Sequence, residues 1–365
     1  MLIVQAILSI AAFLQLCRTQ MLPALYLVII AALLVLFWLL VKRCQEYSAP
    51  RKVSRVFSVF LCAFLALGCV WAQQGLSALD NVTSGLVTGT EANKITKEPF
   101  VVYLSGVDNR GELTEKARSD VNILAVVNPS TKRVALINTP RDYYVDLAGT
   151  NSKDKLTHAG LYGPQCSMDT LSQLFGVSVD YYAKVNFTTL RDMVNALGGV
   201  DLDSVYEFTT ISGEYFVQGM NYGVDGSSAL AFARERYNLP NGDNDRVMNQ
   251  QIVLKAIINK CLSPAILTGY MGIMDSLSDS FETSLSQQQI SSLVRMQLND
   301  GAGWDIMSSR VVGTGSEDIC YSSGDQLLYV MLPDENSVAT SADFINRVKN
   351  GETISQEEIA ASMMN

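Results

Sequence analysis

Long apolar runs are concentrated before residue 73 of the chain. Residues 22–41 carry no charge, and at about 1.5 Å per residue a helix of this length crosses a hydrocarbon core of roughly 30 Å. Residues 56–72 form a second run that ends beside Trp71, an aromatic residue typical of the membrane interface. Residues 2–17 form a shorter third run, either a span or a signal peptide, although no basic segment precedes it. We predict a membrane anchor over residues 1–72, with spans at about 2–17, 22–41 and 56–72.

Basic residues are distributed unevenly between the predicted spans. Only Arg18 lies between the first and second spans. The loop between the second and third spans contains five cations, Lys42, Arg43, Arg51, Lys52 and Arg55. Because loops rich in lysine and arginine stay in the cytoplasm, we expect the chain from residue 73 onwards to lie outside the cell membrane.

The pattern changes after the anchor. Residues 73–97 are polar, rich in Gly, Ser and Thr and without sustained periodicity, which predicts a tether. Near-continuous apolar runs then predict strands covered on both faces, at 100–106, 120–128 and 133–139, with later strands near 305–313 and 326–332. Helical periodicity is found at about 166–175, 187–197, 226–233, 245–260, 264–281, 286–298 and 339–350. Strands interleaved with helices predict one α/β domain over 98–350, with a mixed central sheet sandwiched between helices, and a tail over 351–365.

Composition narrows the possible partners. The net charge is −9, which argues against nucleic acid as a partner, and 48% of the residues are apolar because of the anchor. Of the seven cysteines, Cys166, Cys261 and Cys320 lie beyond the anchor, and no spacing predicts a zinc site. A Cys166–Cys320 disulfide and free thiols both remain open.

Two aspartates lie at the ends of predicted neighbouring strands. Asp108 ends the first strand in GVDNRG, and Asp120 opens the second in RSDVNIL. If the strands pair, both carboxylates meet at one edge of the sheet, where they would suit Mg²⁺ or Mn²⁺ together with phosphate oxygens. On spacing alone, the alternative is a turn aspartate and a loop cap, which are common at such places.

Arginines cluster in an otherwise acidic chain. Arg141 follows the third predicted strand in NTPRDYYVDL, at an edge where ligands collect in α/β sheets. In ALAFARERYN a helix is predicted to end at about Ala233, so an extended segment would direct Arg234 and Arg236 to one side. Guanidinium groups placed in this way fit the oxygens of a phosphate.

A third arginine of this segment, Arg246, begins the next predicted helix. Asn249 and Gln250 share its face, and the stripe continues as Val253 and Ile257. An ordinary core-facing helix explains the apolar part of the stripe. It does not explain three neighbouring arginines, whose mutual repulsion calls for an anion or for carboxylate partners.

The only histidine of the chain, His158, has no serine or cysteine partner identifiable in the sequence. A Ser-His-Asp triad and a multi-histidine metal site are therefore disfavoured. We interpret His158 as structural.

These motifs together resemble a known family. From residue 99 to about 350 the chain is similar to the LytR-CpsA-Psr family of bacterial cell-wall proteins, in the order GVDNRG, SDVNILAVVNPSTKRVALINTPRD, KLTHAGLYG, VDYYAKVNF, NALGGVDL, ALAFARERY and DNDRVMNQQ. One departure is Asn249, where many members have arginine. The resemblance covers essentially the whole outer part of the chain.

The resemblance implies an enzyme that moves a glycopolymer, such as capsule or teichoic acid, from undecaprenyl pyrophosphate to peptidoglycan. It implies a bacterial cell-membrane protein with an extracytoplasmic catalytic domain and a prenyl groove, for which Val253 and Ile257 are candidate lining residues. Pyrophosphate would be bound by Arg141, Arg234, Arg236, Arg246 and Gln250. Asp108 and Asp120 would bind Mg²⁺ or act as acid and base, so that the candidate catalytic set is Asp108, Asp120, Arg141, Arg234 and Arg236.

Two other functions fit the same residues. The first is a pyrophosphatase that hydrolyses prenyl pyrophosphates with water as the acceptor. The second is a non-catalytic protein that binds lipid pyrophosphates and regulates envelope assembly. Binding requires only the arginines, whereas catalysis benefits from a metal ion and a base, so Asp108 and Asp120 favour an enzyme.

Overall fold

The structure begins with three apolar helices. The computed structural model describes residues 2–44, 48–82, 93–107, 116–263, 281–355 and 358. Helices α1 (Leu2–Thr19), α2 (Ala24–Cys44) and α3 (Ser48–Val82) each contain a stretch long and apolar enough to cross a membrane, as predicted. Helix α3 continues to Val82, so the predicted tether is helical over residues 73–82.

Short helices and strands alternate through the rest of the described chain. The helices are α4 (Leu156–Ala159), α5 (Pro164–Phe175), α6 (Phe187–Ala196), α7 (Gly226–Arg234), α8 (Asp243–Cys261), α9 (Gln287–Asp300) and α10 (Glu335–Lys349). The strands are β1 (Phe100–Val107), β2 (Val121–Asn128), β3 (Arg133–Thr139), β4 (Tyr144–Asp146), β5 (Lys153–Lys155), β6 (Tyr181–Asn186), β7 (Val200–Ser204), β8 (Phe208–Thr209), β9 (Tyr215–Phe216), β10 (Gly219–Val224), β11 (Phe281–Thr283), β12 (Asp305–Arg310), β13 (Gly313–Ile319) and β14 (Leu327–Pro333). Most of the predicted elements lie within a few residues of these bounds. The helix predicted at 264–281 lies outside the described residues as far as residue 280, and residue 281 begins β11.

Six strands form the central sheet, in the order β11-β6-β1-β2-β3-β12. The chain runs β1-β2-β3 as an antiparallel meander, while β6 pairs in parallel with β1 and β12 in parallel with β3. The sheet is therefore mixed, as the sequence predicts. The late strand predicted at 305–313 is instead two strands, because the chain leaves the sheet after Arg310 and begins a separate hairpin with β14 at Gly313.

Alternation along the strands creates two apolar layers. In β1, Val101 and Tyr103 pack on one face with α5 and α10, whereas Phe100 and Val102 pack on the other with residues of α8 and α9. Successive side chains of a strand point to opposite faces, so a strand covered on both sides must be apolar throughout. The continuous apolar runs of β1, β2 and β3 follow from this requirement.

Local signals define the helix ends. Pro164 occupies the first turn of α5, where a missing N–H is tolerated, and Gly176 ends the helix with a φ of 63° that favours glycine. The side chain of Asp225 caps α7 by accepting a hydrogen bond from the Ser228 N–H. The local sequence therefore marks both ends of α5 and the beginning of α7.

A third apolar cluster lies beside the sheet. It joins α6, α7, α8 and β7 around Phe208, Phe216 and Phe232, with the ring centroids of Phe216 and Phe232 4.9 Å apart. The cluster also includes Met21, from the turn between α1 and α2. Because Met21 packs with the outer domain, this turn and the outer domain lie on the same side of the three apolar helices.

The cysteines carry free thiols. Cys166, Cys261 and Cys320 are unpaired, as are the four cysteines of the anchor, so of the two alternatives the structure has free thiols. Burial raises the pKa of the Cys261 thiol to about 11, which keeps it protonated at neutral pH.

The short helix α4 connects two segments at one edge of the sheet. The Thr157 N–H donates to the carbonyl oxygen of Arg141 at 2.8 Å, and the Ser119 N–H donates to the carbonyl oxygen of Thr157 at 3.2 Å. Immediately after α4, the Ala117 N–H donates to the carbonyl oxygen of Gly160. The residues that follow β3 and those that precede β2 are therefore fixed to the same turn of helix.

A buried aspartate stabilises α4. Asp154 accepts hydrogen bonds from Ser322, through its N–H at 2.9 Å and its Oγ at 2.5 Å, and contacts Nδ1 of His158 at 2.6 Å. Burial alone would raise the pKa of Asp154, but the hydrogen bonds from His158 and Ser322 lower it below its usual value. His158 is buried in this network, which agrees with its interpretation as a structural residue.

The first prediction concerns the close contact at Gly160. A Cβ at this position would lie 2.3 Å from the carbonyl oxygen of Ala117. We expect Gly160→Ala to destabilise the protein by about 1–3 kcal/mol, because the backbone must move, and to lower its Tm by several degrees. Gly303 has open space around the same position, so Gly303→Ala is the matched control. Equal Tm values for the two variants in thermal unfolding would contradict the prediction.

The second prediction concerns the charge of Asp154. Because its folded-state pKa is lowered, the ionised carboxylate stabilises the fold above the unfolded pKa of about 3.9, and this contribution is lost as the pH falls through the folded pKa. We expect Asp154→Asn to cost about 1–3 kcal/mol at pH 7 and progressively less below about pH 4. Urea unfolding at both pH values measures this. A difference that stays constant with pH would show that the charge plays no part.

Candidate functional site

One pocket brings together all the described residues that the sequence assigned to anion binding. It has a volume of about 630 Å³ and lies where β2 begins and β3 ends. Its wall contains Asp120, Arg141, Arg234, Arg236, Arg246 and Gln250. Asp108 lies outside the described residues.

The strand register explains why Asp120 and Arg141 meet. Asn122 pairs with Thr139 in the antiparallel β2-β3 hairpin, so continuing the register by two residues places Asp120 opposite Arg141. Nη1 of Arg141 lies 2.7 Å from Oδ1 of Asp120, and its Nε lies 3.5 Å from Oδ2 of Asp142. Burial lowers the pKa of the Arg141 guanidinium group. The hydrogen bond from Arg141 to Asp120 and the nearby charge of Asp142 outweigh this effect, so the pKa is raised above its usual value.

The end of β1 adjoins this pair. The Asp120 N–H donates to the carbonyl oxygen of Gly106 at 2.8 Å, and Gly106 pairs with Val121 across the two strands. The prediction that the end of the first strand and the start of the second meet at one edge is therefore confirmed for these residues.

The segment from Arg234 to Arg236 turns around a buried carboxylate. Oε1 of Glu235 accepts hydrogen bonds from the N–H groups of the next three residues, and its Oε2 accepts one from the Ile211 N–H at 2.7 Å. Helix α7 ends at Arg234, one residue later than expected, and Glu235 is the first extended residue. Arg234 is therefore helical, which corrects the prediction that residues 234–236 are all extended.

Both arginines nevertheless line the pocket because aromatic rings support them. The guanidinium carbon of Arg234 lies 4.7 Å from the centre of the Phe187 ring, and that of Arg236 lies 4.4 Å from the centre of the Tyr237 ring. Within the described part of the chain, neither is paired with a carboxylate. Stacking on a ring orients a guanidinium group without neutralising its charge.

Arg246 contributes a partly buried cation from the first turn of α8. It is bound to Asp243 at 2.8 Å, while its buried Nε has no partner among the described residues. Burial lowers the pKa of Arg246, and the nearby positive charges of Arg141 and Arg236 lower it further. The charge of Asp243 acts in the opposite direction but does not cancel the decrease. A bound anion would offset both the desolvation of Arg246 and the repulsion from its neighbours, and the N-terminus of α8 favours negative charge as well.

The next residues of α8 face different environments. Gln250 lines the pocket, whereas the amide of Asn249 is buried and donates to the carbonyl oxygen of Phe232 at 3.1 Å. Asn249 therefore joins α8 to α7 and does not line the pocket.

An apolar cavity of about 450 Å³ adjoins the polar pocket. The two share Val121, Phe187 and Gln250, and the cavity continues between the sheet and helices α8 and α9. Ile257 lines it, as expected. Val253 does not, because it is buried in the cluster of α7 and β7 on another side of α8, while Leu254 takes the lining position.

Sequence reasoning missed one wall of the polar pocket. Thr210, Ser212 and Glu214 line it from the connection between β8 and β9, and the hydroxyl groups of Thr210 and Ser212 donate to Glu214. These hydrogen bonds lower the pKa of Glu214. The local sequence does not indicate this placement, because it depends on a contact between distant residues. The Ile211 N–H donates to the carboxylate of Glu235 and so holds the β8–β9 connection beside the pocket.

The donor set is compatible with a magnesium ion. Mg²⁺ binds proteins through one or two carboxylates and completes its shell with water and substrate phosphate oxygens. Oδ1 of Asp120 accepts a hydrogen bond from Arg141. Asp120 lines the pocket, so its second carboxylate oxygen can serve as a ligand of the metal ion. Among the described residues, no group of three or more His, Cys, Asp or Glu residues forms a larger metal cluster.

Known proteins share this sequence and architecture. A model described as the LytR_cpsA_psr family matches residues 74–335. A polyisoprenyl-teichoic acid–peptidoglycan teichoic acid transferase, TagU, of Enterococcus faecalis is 35% identical over 54% of this chain and 65% of its own length. The chain thus spans slightly less than two thirds of that relative. TagU of Bacillus mycoides is 32% identical over 72% of this chain and 82% of its own length.

Solved structures agree in fold. The crystal structure of Bacillus subtilis TagU superposes with a TM-score of 0.53 at 28% identity, covering 71% of this chain and 99% of that one. A structure described as TagT bound to LIIa-WTA gives a TM-score of 0.56 at 26% identity, covering 70% of this chain and 92% of that one. Because the family match extends over well more than half of its residues, the chain belongs to the LytR-CpsA-Psr family.

Proposed function

We propose that this protein transfers a glycopolymer from a polyisoprenyl pyrophosphate carrier to peptidoglycan at the outer face of a bacterial membrane. The observation that carries the proposal is the continuity between a pocket lined by four arginines and an apolar cavity. A lipid pyrophosphate has the same two parts, a compact anion and an apolar chain. The relatives described as polyisoprenyl-teichoic acid–peptidoglycan transferases support this choice of substrates.

The pyrophosphate would occupy the polar pocket. Arg234 and Arg236 supply charges that the described carboxylates do not neutralise, and the buried Nε of Arg246 has no hydrogen-bond partner among the described residues. Guanidinium groups bind phosphate oxygens in pairs, and charge-assisted hydrogen bonds are about twice as strong as neutral ones. The first isoprene units would pass Val121 and Phe187 and enter the apolar cavity. Transfer of their apolar surface out of water would stabilise the bound carrier.

In the transfer step, a sugar hydroxyl oxygen of peptidoglycan attacks the phosphorus that carries the glycopolymer. A new P–O bond forms as the bond to the bridging oxygen breaks, and the electron pair leaves with the polyisoprenyl phosphate. The arginines stabilise the negative charge that develops on this leaving group. The hydroxyl proton passes to a carboxylate, for which Asp120 and Asp108 are the candidates.

We infer a magnesium ion at Asp120, with Asp108 as its second candidate ligand and Mn²⁺ as an alternative. When bound, the metal would add positive charge beside the phosphates. The pair between Arg141 and Asp120 then orients the carboxylate in the pocket independently of the metal.

The orientation in the membrane supports an extracytoplasmic site. The basic loop after α2 favours the cytoplasm, and the turn between α1 and α2 packs with the outer domain on the opposite side of the anchor. Both the lipid carrier and peptidoglycan would then be on the side of the pocket.

The third prediction tests the site. We expect Arg234→Ala and Asp120→Asn each to lower kcat/KM by about 100-fold or more, because each removes a group that stabilises or orients the transition state. Arg133 lies at the opposite end of β3 from Arg141, so Arg133→Ala is the control and should retain activity. The full-length protein is incubated with Mg²⁺, a polyisoprenyl-pyrophosphate-linked oligosaccharide and peptidoglycan fragments, and products are followed by mass spectrometry.

Three outcomes separate the candidate functions. Attachment of the glycan that both site variants abolish supports the transferase. Release of polyisoprenyl phosphate without attachment identifies a pyrophosphatase. Tight binding of the carrier with neither product identifies a binding protein.

A further inference from the structure

The polar pocket extends along one face of α7. Four residues of this helix line it with the spacing of a single helical face, Ser227, Leu230, Ala231 and Arg234. Ser227 and Arg234 are about 10 Å apart along the helix at roughly 1.5 Å per residue. Among the residues of α7, all of which are described, only Ala233 lines the apolar cavity. One end of the pocket therefore adjoins the cavity, and the other end lies at the beginning of α7.

The connection between β8 and β9 runs beside α7 in the same direction. We refer to it as the β8–β9 wall, residues 210–214. At the end of α7, the Ile211 N–H donates to Oε2 of Glu235 at 2.7 Å. Hydrogen bonds from two hydroxyl groups of the wall lower the pKa of Glu214, and the charge of Asp225, which caps the beginning of α7, acts in the opposite direction. Glu214 therefore lies within reach of Asp225, towards the pocket end that is away from the apolar cavity.

The two ends of the pocket have opposite hydrogen-bonding character. The arginines only donate, so they suit phosphate oxygens, which only accept. The β8–β9 wall presents acceptors instead. Thr210 and Ser212 both donate to Oε2 of Glu214, the second at 2.5 Å, and no other described residue donates to Oε1. A carboxylate oxygen repels a phosphate but accepts from the hydroxyl and amide groups of a neutral sugar.

The geometry of phosphoryl transfer decides which sugar suits this end. The attacking and leaving oxygens lie on opposite sides of the phosphorus, roughly in line. Under the proposed function, the polyisoprenyl phosphate leaves on the side of the apolar cavity. The attacking hydroxyl must therefore enter from the side away from the cavity. The β8–β9 wall and Ser227 line the polar pocket without lining the cavity, so they fit that side.

We propose that the β8–β9 wall is the subsite for the acceptor sugar of peptidoglycan, with Glu214 as the residue that binds it. This inference rests on the proposed function. Oε1 of Glu214 would accept a hydrogen bond from a hydroxyl or amide group of the sugar whose other hydroxyl attacks the phosphorus. Ser212 and Ser227 offer further hydroxyl partners. Because Glu235 fixes the wall to the arginine segment, the acceptor and the pyrophosphate would be held at a defined separation.

The fourth prediction separates acceptor binding from donor binding. Full-length protein is assayed with Mg²⁺, the polyisoprenyl-pyrophosphate-linked oligosaccharide and a soluble peptidoglycan fragment, each varied in turn. We expect Glu214→Gln to raise the acceptor KM by about tenfold and to change the donor KM by less than about twofold, as for the loss of one hydrogen bond to a charged group on the acceptor.

A second carboxylate near the same hairpin provides the matched control. Glu207 accepts a hydrogen bond from the Tyr215 hydroxyl at 2.6 Å and does not line the pocket. Glu207→Gln should leave both KM values unchanged. An unchanged acceptor KM in Glu214→Gln would overturn the subsite. An equal rise in both KM values would assign Glu214 a structural role, and a rise in the donor KM alone would place the donor's own sugar at the wall.

A labelling experiment tests the subsite even if Glu214→Gln fails to fold or the protein transfers nothing. Wild-type protein in nanodiscs is loaded with sugar-free polyisoprenyl pyrophosphate and a peptidoglycan disaccharide that carries a photoreactive group. Labelling at the β8–β9 wall or at Ser227 supports the subsite, even if no transfer is observed and the proposed function fails. Labelling confined to other surfaces excludes the subsite, even if the protein transfers the glycopolymer.

Discussion

The antiparallel register of β1, β2 and β3 is the constraint on which the site depends. The register places Asp120 opposite Arg141 and beside Gly106, so three chain segments meet at one edge of the sheet. Helix α4 then fixes two of these segments to each other through Thr157. A one-residue slip would turn every strand side chain to the other face and would separate Asp120 from Arg141.

Electrostatics at this edge is unfavourable without a ligand. Arg246 is partly buried near Arg141 and Arg236, which lowers its pKa, and the aromatic rings that support two of the arginines do not cancel their charge. The protein maintains this concentration of positive charge because the surrounding elements are held by the core and by Glu235. Preorganised charge of this kind stabilises an anion, or a transition state that becomes more anionic, without further rearrangement.

Helix α8 joins the polar and apolar parts of the site. Its first turns present Arg246 and Gln250 to the polar pocket, and its later turns present Leu254 and Ile257 to the apolar cavity. A single rigid helix therefore fixes the distance between the two parts. This arrangement suits a ligand whose charged group and apolar chain must be bound in a defined order.

The sequence by itself determined the features that depend on near neighbours along the chain. Continuous apolar runs predicted the three anchor helices and the buried strands, and the family motifs identified the arginines that line the pocket. Only the tertiary structure decided that Leu254, and not Val253, faces the cavity, that the connection between β8 and β9 forms a wall, and that Met21 packs with the outer domain. Such contacts join segments far apart in sequence. They follow from how whole elements pack, and a local pattern of polar and apolar residues does not encode that packing.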